Sequence, residues 1–600
     1  MATAADRVEG LLARMDLAHK LGQMVQTERL AITPEEVRDH HIGSVLSGGG
    51  SCPGDNRPAD WVAMNDAYWA ASLEEAPGRV PVPIIYGVDA IHGNNNVIGA
   101  TIFPHNIGLG AAGDPELARR IARATALEVL ATGVDWTFAP TLAVARDNRW
   151  GRTYESCSED PALVARIAPA VVEGLQGDLG DDGIAACVKH FVGDGGTSEG
   201  IEQGDTRVDE AELRRVHVAP YLPALAAGTL TVMVSFNSWN GEKCHGHKGL
   251  VTDLLKDELG FEGLVISDWD GIDYIDDDYA ECVARGLEAG IDMFMVSENW
   301  RGFLEAAEAH VRSGRVSMDR IDDAVRRILR VKEALGLFEK PRPAERKWSD
   351  SDVFGCQAHR DLAREAVRRS LVLLKNENAT LPLSREARVL VAGKNADDVG
   401  HQCGGFTIAW QGSTGNDLVE GGTSIWAGIR ELAPGAELDV DGTSADPARH
   451  DVAVVVIGER PYAEGMGDIR TGDDVAIREG SMVRGTLKTL QPYGRSPVLA
   501  DLHPEDIATI ERIRARGVPV VTVMVGGRPL ETNRELDASD AFAVAWLPGS
   551  EGAGVGEVLF GEAPFTGRLS FAWPATGGAP VWVGDEKQDV RFPRGYGLDA

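Results

Sequence analysis

Cysteine is scarce in this chain, with seven in 600 residues and no CxxC pair among them. They fall at 52, 157, 187, 244, 282, 356 and 403, odd in number and scattered. That excludes a disulfide framework or a zinc site of the usual spacing and predicts reduced, buried thiols. Positive charge is short as well: 59 Lys and Arg stand against 92 Asp and Glu, a net charge of −33. Such a surface repels nucleic acid and anionic membranes, so neither is expected as a partner. No apolar run reaches the length that spans a bilayer. The first residues, MATAADRVEGLLARMDLAHKLGQMVQ, lack the basic and apolar regions of a secretory signal. They read as an amphipathic helix with Leu11, Leu12, Met15, Leu17 and Leu21 near one face. Cytoplasmic residence is the expectation. Internal repeats and low-complexity tracts are absent too.

The length itself exceeds what one core can serve, so two or more domains are expected. In the first half, apolar runs at 42–46, 84–88, 134–138, 184–188, 230–234, 264–266 and 291–295 alternate with helical patterns such as 115–131 and 210–227. Strands alternating with helices imply parallel βαβ units, and about seven of them fit a (β/α)8-type barrel better than an open sheet. Residues 341–350, PRPAERKWSD, read as a linker. A helix at about 357–374 then opens a second α/β region with strands at 389–392, 452–457, 518–525 and 541–546, which reads as an open sheet between helices. The last stretch, from 565, is rich in Gly, Pro, Trp and Phe and predicts a short antiparallel appendage. The expected division is a barrel over 1–340, a linker over 341–356, an α/β sandwich over 357–564 and a C-terminal segment over 565–600.

The barrel runs end in residues able to do chemistry. Asp89 follows one, Lys189 and His190 another, Phe236 and Asn237 a third, and Asp268 with Trp269 a fourth, in GLVISDWDGID (263–273). Carboxyl ends of barrel strands are where such folds build their sites. A strand-end acid beside an indole suits sugar cleavage, because the strand fixes the acid and the flat ring stacks on a pyranose. In RWGRTYES (149–156), Arg152 and Glu155 add polar groups. A buried Lys189 needs partners to stay charged, and carboxylates with sugar hydroxyls would supply them. GLGAAG (108–113) matches the dinucleotide pattern, but Pro104 interrupts the run before it and the acid at suitable distance, Glu128, lies inside a helix. Those glycines are expected to serve a tight turn. The acidic run Asp276 to Asp278 lacks the spacing of a calcium loop. No metal and no cofactor is expected.

In order, GVDAIHGNNNVIGATIFPHN, RWGRTYES, KHFVGDGG and GLVISDWDGID, followed by GGFTIAWQG (404–412), VVVIGERPYAEGMGD (454–468) and AWLPGSEGAGVGEVLFG (545–561), closely resemble glycoside hydrolase family three. The likeness is greatest to its two-domain exo-β-glucan glucohydrolases and β-glucosidases. It implies a retaining hydrolase with two carboxyl groups, a nucleophile and a general acid/base. Asp268 matches the family nucleophile. The acid/base comes from the second domain, where Glu464 in the PYAE segment is favoured over Glu459. Glu459 directly follows a strand and reads as a support. The same match gives Asp89, Arg152, Lys189, His190 and Met233 to the terminal sugar and Trp269 with Trp410 to an indole clamp around the next one. Phe236 stands where a Tyr is familiar and Tyr274 where an Arg is. The implied substrate is a β-glucan or β-gluco-oligosaccharide.

Within the same family, a β-xylosidase and an N-acetylhexosaminidase are the alternatives. The latter branch carries a His after KHF-x-G, where this chain has Asp194. An inactive sugar-binding protein would lack one carboxylate, and both are present.

Overall fold

The computed structural model describes residues 4–470 and 492–599, with the backbone of 477–478 and 489–490. Eight parallel strands form the first domain: β1 (Val25–Glu28), β2 (Ser44–Ser47), β3 (Ile85–Val88), β4 (Trp136–Thr137), β5 (Cys187–Phe191), β6 (Thr231–Val234), β7 (Leu264–Ile266) and β8 (Phe294–Met295). β8, β1, β2, β3 and β4 pair in that order, as do β5, β6 and β7. Single parallel bridges, Trp136 to Ala185 and Ile266 to Met293, join the two sets into a closed barrel.

The eighth strand, β1, lies in a segment read from sequence as helix. The helical part breaks into Ala4–Arg14 and Leu17–Gln23, the second capped by Asp16, whose carboxylate accepts from His19 N–H. β1 reads Val-Gln-Thr-Glu, so it shows no apolar run, yet all four residues are buried. Its polar groups find partners inside: Gln26 donates to Ser44 Oγ at 2.8 Å and Thr27 to Ser297 O at 2.9 Å. A polar strand held by such partners is invisible to a search for apolarity.

The glycines of GLGAAG also differ from expectation. Residues Asn106–Ala112 are helical, and only Gly113 takes a left-handed turn, at φ +62°. Gly110 allows close approach instead, since a Cβ there would sit 1.7 Å from Cys157 O. The next helix, Pro115–Leu130, is capped by Asp114.

The second domain holds β9 (Val372–Asn376), β10 (Val389–Ala392), β11 (Glu437–Leu438), β12 (Val452–Gly458), β13 (Val520–Val525) and β14 (Ala541–Trp546). Their order is β9-β14-β13-β12-β10-β11, parallel except for β9. The helix expected to reach 374 stops at Ser370. The apolar Val372–Leu374 continues its hydrophobic pattern but pairs as an edge strand with β14. The tail makes two antiparallel pairs, Trp573–Pro574 with Val590–Phe592 and Trp582–Val583 with Glu586–Lys587. Each domain has its own buried apolar core. The stretch 340–346 is strapped to the barrel by ion pairs, Arg342 with Asp66, and Lys340 and Arg346 with Asp135.

Candidate active site

Asp268 stands two residues beyond the end of β7. Its backbone N–H donates to His245 Nε2 at 2.9 Å, and its Oδ1 accepts from Trp269 N–H at 2.7 Å, so the turn holds the carboxyl rigidly. On β5, the buried Lys189 places Nζ 2.7 Å from Asp89 Oδ1. Burial works against the ammonium, but Asp89 and Glu155 outweigh it and hold its pKa above the ordinary value. Asp89 is braced in turn, its carbonyl accepting from the Asn95 and Asn96 amides at 2.9 and 3.0 Å.

Arg152 is the centre of the charge network. It grips Glu155 with two N–H groups at 2.6 and 2.9 Å, and also reaches Glu202 Oε1 at 3.4 Å and His190 Nε2 at 3.3 Å. His190 Nδ1 lies 2.9 Å from Asp194 Oδ2, and its Nε2 lies 3.6 Å from Asp268 Oδ2. Burial keeps this imidazole uncharged, with Arg152 and Lys189 pushing the same way. Burial likewise lifts the Asp194 carboxyl to about 8. Met233 on β6 pairs in register with Ile266. Phe236 packs edge-on against His245 and Tyr274, with ring centres 5.7 and 5.9 Å apart.

The second domain contributes Glu464, which opens the short turn Glu464–Gly467 with φ at +40°. A non-glycine residue in that region is strained, and such strain gathers at functional sites. Burial pushes its pKa up to about 8; Arg152 opposes this, while Glu202, Asp268 and Glu155 add to it. Asp268 is lifted by burial to about 6, with Arg152 and Lys189 resisting. Glu464 and Asp268 therefore feel each other across the domain boundary. Around them, more carboxyl groups crowd together than Arg152 and Lys189 can neutralise, so some must retain protons near neutrality. Glu459, by contrast, is fully engaged within its own domain: it accepts from Arg528 Nε at 2.9 Å, Tyr462 Oη at 2.7 Å and Gly527 N–H at 3.0 Å.

The half-buried Trp269 and Trp410 both rest on one loop after β2. A Cβ on Gly48 would meet the Trp269 ring at 2.7 Å, and one on Gly49 would meet Trp410 Cβ at 2.9 Å. That loop brings one indole from each domain together.

The seam between domains is built by the same segments. Ile408 N–H donates to Asn95 O at 2.8 Å. The buried rings of His92 and His105 stack at 3.6 Å, with His92 Nε2 3.0 Å from Phe406 O and His105 Nε2 3.0 Å from Gly405 O. Thus GVDAIHGNNNVIGATIFPHN and GGFTIAWQG are two halves of one joint.

The barrel's carboxyl-end rim carries Asp89, Arg152, Lys189, His190, Phe236, Asp268 and Trp269, with Met233 just inside, while Trp410 and Glu464 reach it from the second domain. Sequence reasoning passed over Glu202, His245 and Asp468. Glu202 and His245 acquire their roles from residues far along the chain; Asp468 closes the quoted motif VVVIGERPYAEGMGD but nothing local marks its role. Among the described residues, no group of three or more His, Cys, Asp or Glu is placed to hold a metal ion.

Carboxyl groups from both domains gather around the buried Arg152 and Lys189, with Trp269 and Trp410 against one loop, an arrangement suited to cleaving a sugar chain. Comparison with known proteins agrees. Residues 16–331 match the glycosyl hydrolase family 3 N-terminal domain and 371–600 its C-terminal domain, so the chain belongs to glycosyl hydrolase family 3. Its fold is similar to the crystal structure of the exo-1,3/1,4-β-glucanase from a Pseudoalteromonas species, with a TM-score of 0.92 and 43% identity over 99% of this chain and 74% of that one. It is 32% identical to the lysosomal β-glucosidase of Dictyostelium discoideum, over 95% of this chain and 72% of the relative. A periplasmic β-glucosidase of Salmonella typhimurium is 29% identical over 98% of this chain and 80% of the relative.

Proposed function

We propose that this enzyme is an exo-acting, retaining β-glucosidase or β-glucan glucohydrolase that releases glucose from non-reducing chain ends. One observation carries the reading: carboxyls from two domains share a single buried site and are pushed apart in pKa, Asp268 to about 6 and Glu464 to about 8. At neutral pH the first is ionised and the second protonated, as a nucleophile and a general acid require. Asp268 attacks the anomeric carbon while Glu464 protonates the leaving oxygen. Glu464, now ionised, then takes a proton from the water that releases glucose from Asp268. Asp89, Arg152, Lys189 and His190 hold the terminal sugar, with Met233 and Phe236 lining it. The Asp89–Lys189 pair supports exo action, because an ion pair that holds the terminal sugar leaves no room for a chain to continue past it. Trp269 and Trp410 stack on the following sugar.

Cytoplasmic residence belongs to the same proposal. It rests on seven unpaired cysteines, and cell fractionation tests it against the periplasmic alternative.

The activity test compares nitrophenyl β-glucoside, β-xyloside and N-acetyl-β-glucosaminide side by side, with NMR of the first sugar formed. The glucoside is expected to be cleaved fastest and to give β-glucose first. Preference for another glycone, or α-glucose as first product, overturns the reading.

A further inference from the structure

The Glu464 turn must be held across a domain boundary, and one side chain is built to do so. Asp468 follows the turn immediately and is fully buried. Its Oδ1 accepts from Gly151 N–H at 2.9 Å and its Oδ2 from Glu202 N–H at 2.9 Å, both on barrel loops. Arg470 pairs with Oδ2 from within the second domain. Gly151 precedes Arg152, and Glu202 is bonded by Arg152 and by the Trp150 indole. The carboxylate of Asp468 therefore grips both barrel loops that surround the charged centre. Contact at this point is close: a Cβ on Gly151 would lie 2.6 Å from Gly467 C and 2.7 Å from Glu464 O. Ile469 N–H donates to Arg149 O at 2.9 Å, continuing the seam. On its other side the turn is fixed by Arg528, whose Nη2 donates to Gly467 O at 2.6 Å while its Nε holds Glu459.

We propose that Asp468 is a positioning residue, an interdomain latch that sets the reach of Glu464 toward the scissile oxygen. The proposal rests on Glu464 being the acid/base. Asp468 touches no substrate; it acts by fixing where the turn before it begins. A carboxyl group suits the task because its two oxygens accept from two separate loops at once; burial pushes its pKa up to about 7, and Arg470 opposes this. An Asn keeps one acceptor but turns an amide toward the second donor and toward Arg470.

The test compares Asp468→Ala and Asp468→Asn with Glu464→Ala in the full chain. It measures kcat/KM for dinitrophenyl β-glucoside, whose leaving group needs no proton, and for cellobiose, whose leaving group does. Both Asp468 variants are expected to lose roughly 10- to 100-fold on cellobiose and under ~3-fold on the aryl glucoside. The high-pH limb of the cellobiose profile should also move. Equal losses on both substrates in both variants, or no loss on cellobiose, overturn the latch. If Ala unfolds the chain, the Asn variant alone decides the outcome, with its folding checked by thermal melting. Should Glu464→Ala itself show no dependence on leaving group, the acid/base assignment fails instead, and the two failures are told apart.

Discussion

The rim of the barrel and the 459–470 segment of the second domain solve one problem, holding a carboxyl, in opposite ways. Asp268 sits just past a strand whose register is locked on both sides, by β6 and by the bridge to Met293. Its position follows from local backbone structure. Glu464 lies outside any strand, in a left-handed backbone conformation, and its neighbours are held by contacts across the seam. Glu459, five residues earlier, is the second-domain counterpart of Asp268: it directly follows β12, yet its carboxyl is consumed by Arg528, Tyr462 and Gly527. In the barrel the strand-end acid does the proposed chemistry. In the second domain the strand-end acid supports a loop, and the loop acid is the proposed acid/base. A site shared by two domains needs one carboxyl that can project, and a strand end buried in its own sheet cannot.

The largest expected effect tests the barrel side. Asp268→Asn should lower kcat by at least ~10⁴-fold, as loss of a nucleophile does, while glucose still protects the protein from thermal unfolding. Mass spectrometry after a 2-fluoro-glucoside should find the label on the Asp268 peptide; a label elsewhere rejects the assignment.

The contrast between the two glutamates comes next. Glu464→Ala should slow substrates with poor leaving groups by roughly 10²–10⁴-fold, and azide should rescue it with a β-glycosyl azide product. Glu459→Ala should chiefly destabilise, by about 3–5 kcal/mol, because it strands the buried Arg528. If denaturant titration shows Glu459→Ala to be as stable as the parent and azide rescues it instead, the two roles must be exchanged.

A smaller effect appears in pH. Asp268 must lose its proton, so kcat/KM should fall as pH drops below about 6. Glu464 must keep its proton, so the rate should fall as pH rises above about 8. The two carboxyls feel each other, so these limbs belong to the pair. Glu464→Gln should remove the upper limb and leave the lower one; an upper limb surviving in that variant refutes the assignment.

The smallest effect concerns the clamp. Trp410→Ala should raise KM for β-1,3- and β-1,4-linked disaccharides together by about 3- to 10-fold, since stacking is indifferent to hydroxyl pattern. Loss confined to one linkage would show that Trp410 reads geometry rather than stacks.

Much of this was legible in the chain. Seven of the eight barrel strands announce themselves as apolar runs, because a buried parallel strand must be apolar on both faces, and four of those runs lead into residues able to do chemistry. β1 is hidden in the sequence because its buried residues are mostly polar, held by partners such as Ser297, 270 residues from Thr27. β9 is hidden because Leu371–Leu374 suits a helix as well as a strand, and only pairing with β14 chooses. The family pattern gathered Asp89, Arg152, Lys189, His190 and Asp268, each of them on a barrel strand or on the loop that follows one.

By itself, then, the sequence determined the alternating architecture, the acid just past β7 and the chemistry its neighbours allow, since strand periodicity and end polarity are local properties. Only the tertiary structure decided that Glu459 is spent on Arg528, and that Asp468 binds Gly151 across 317 residues of chain. A carboxyl's pKa, partners and reach depend on what surrounds it in space, and for these groups the surroundings come from the other domain.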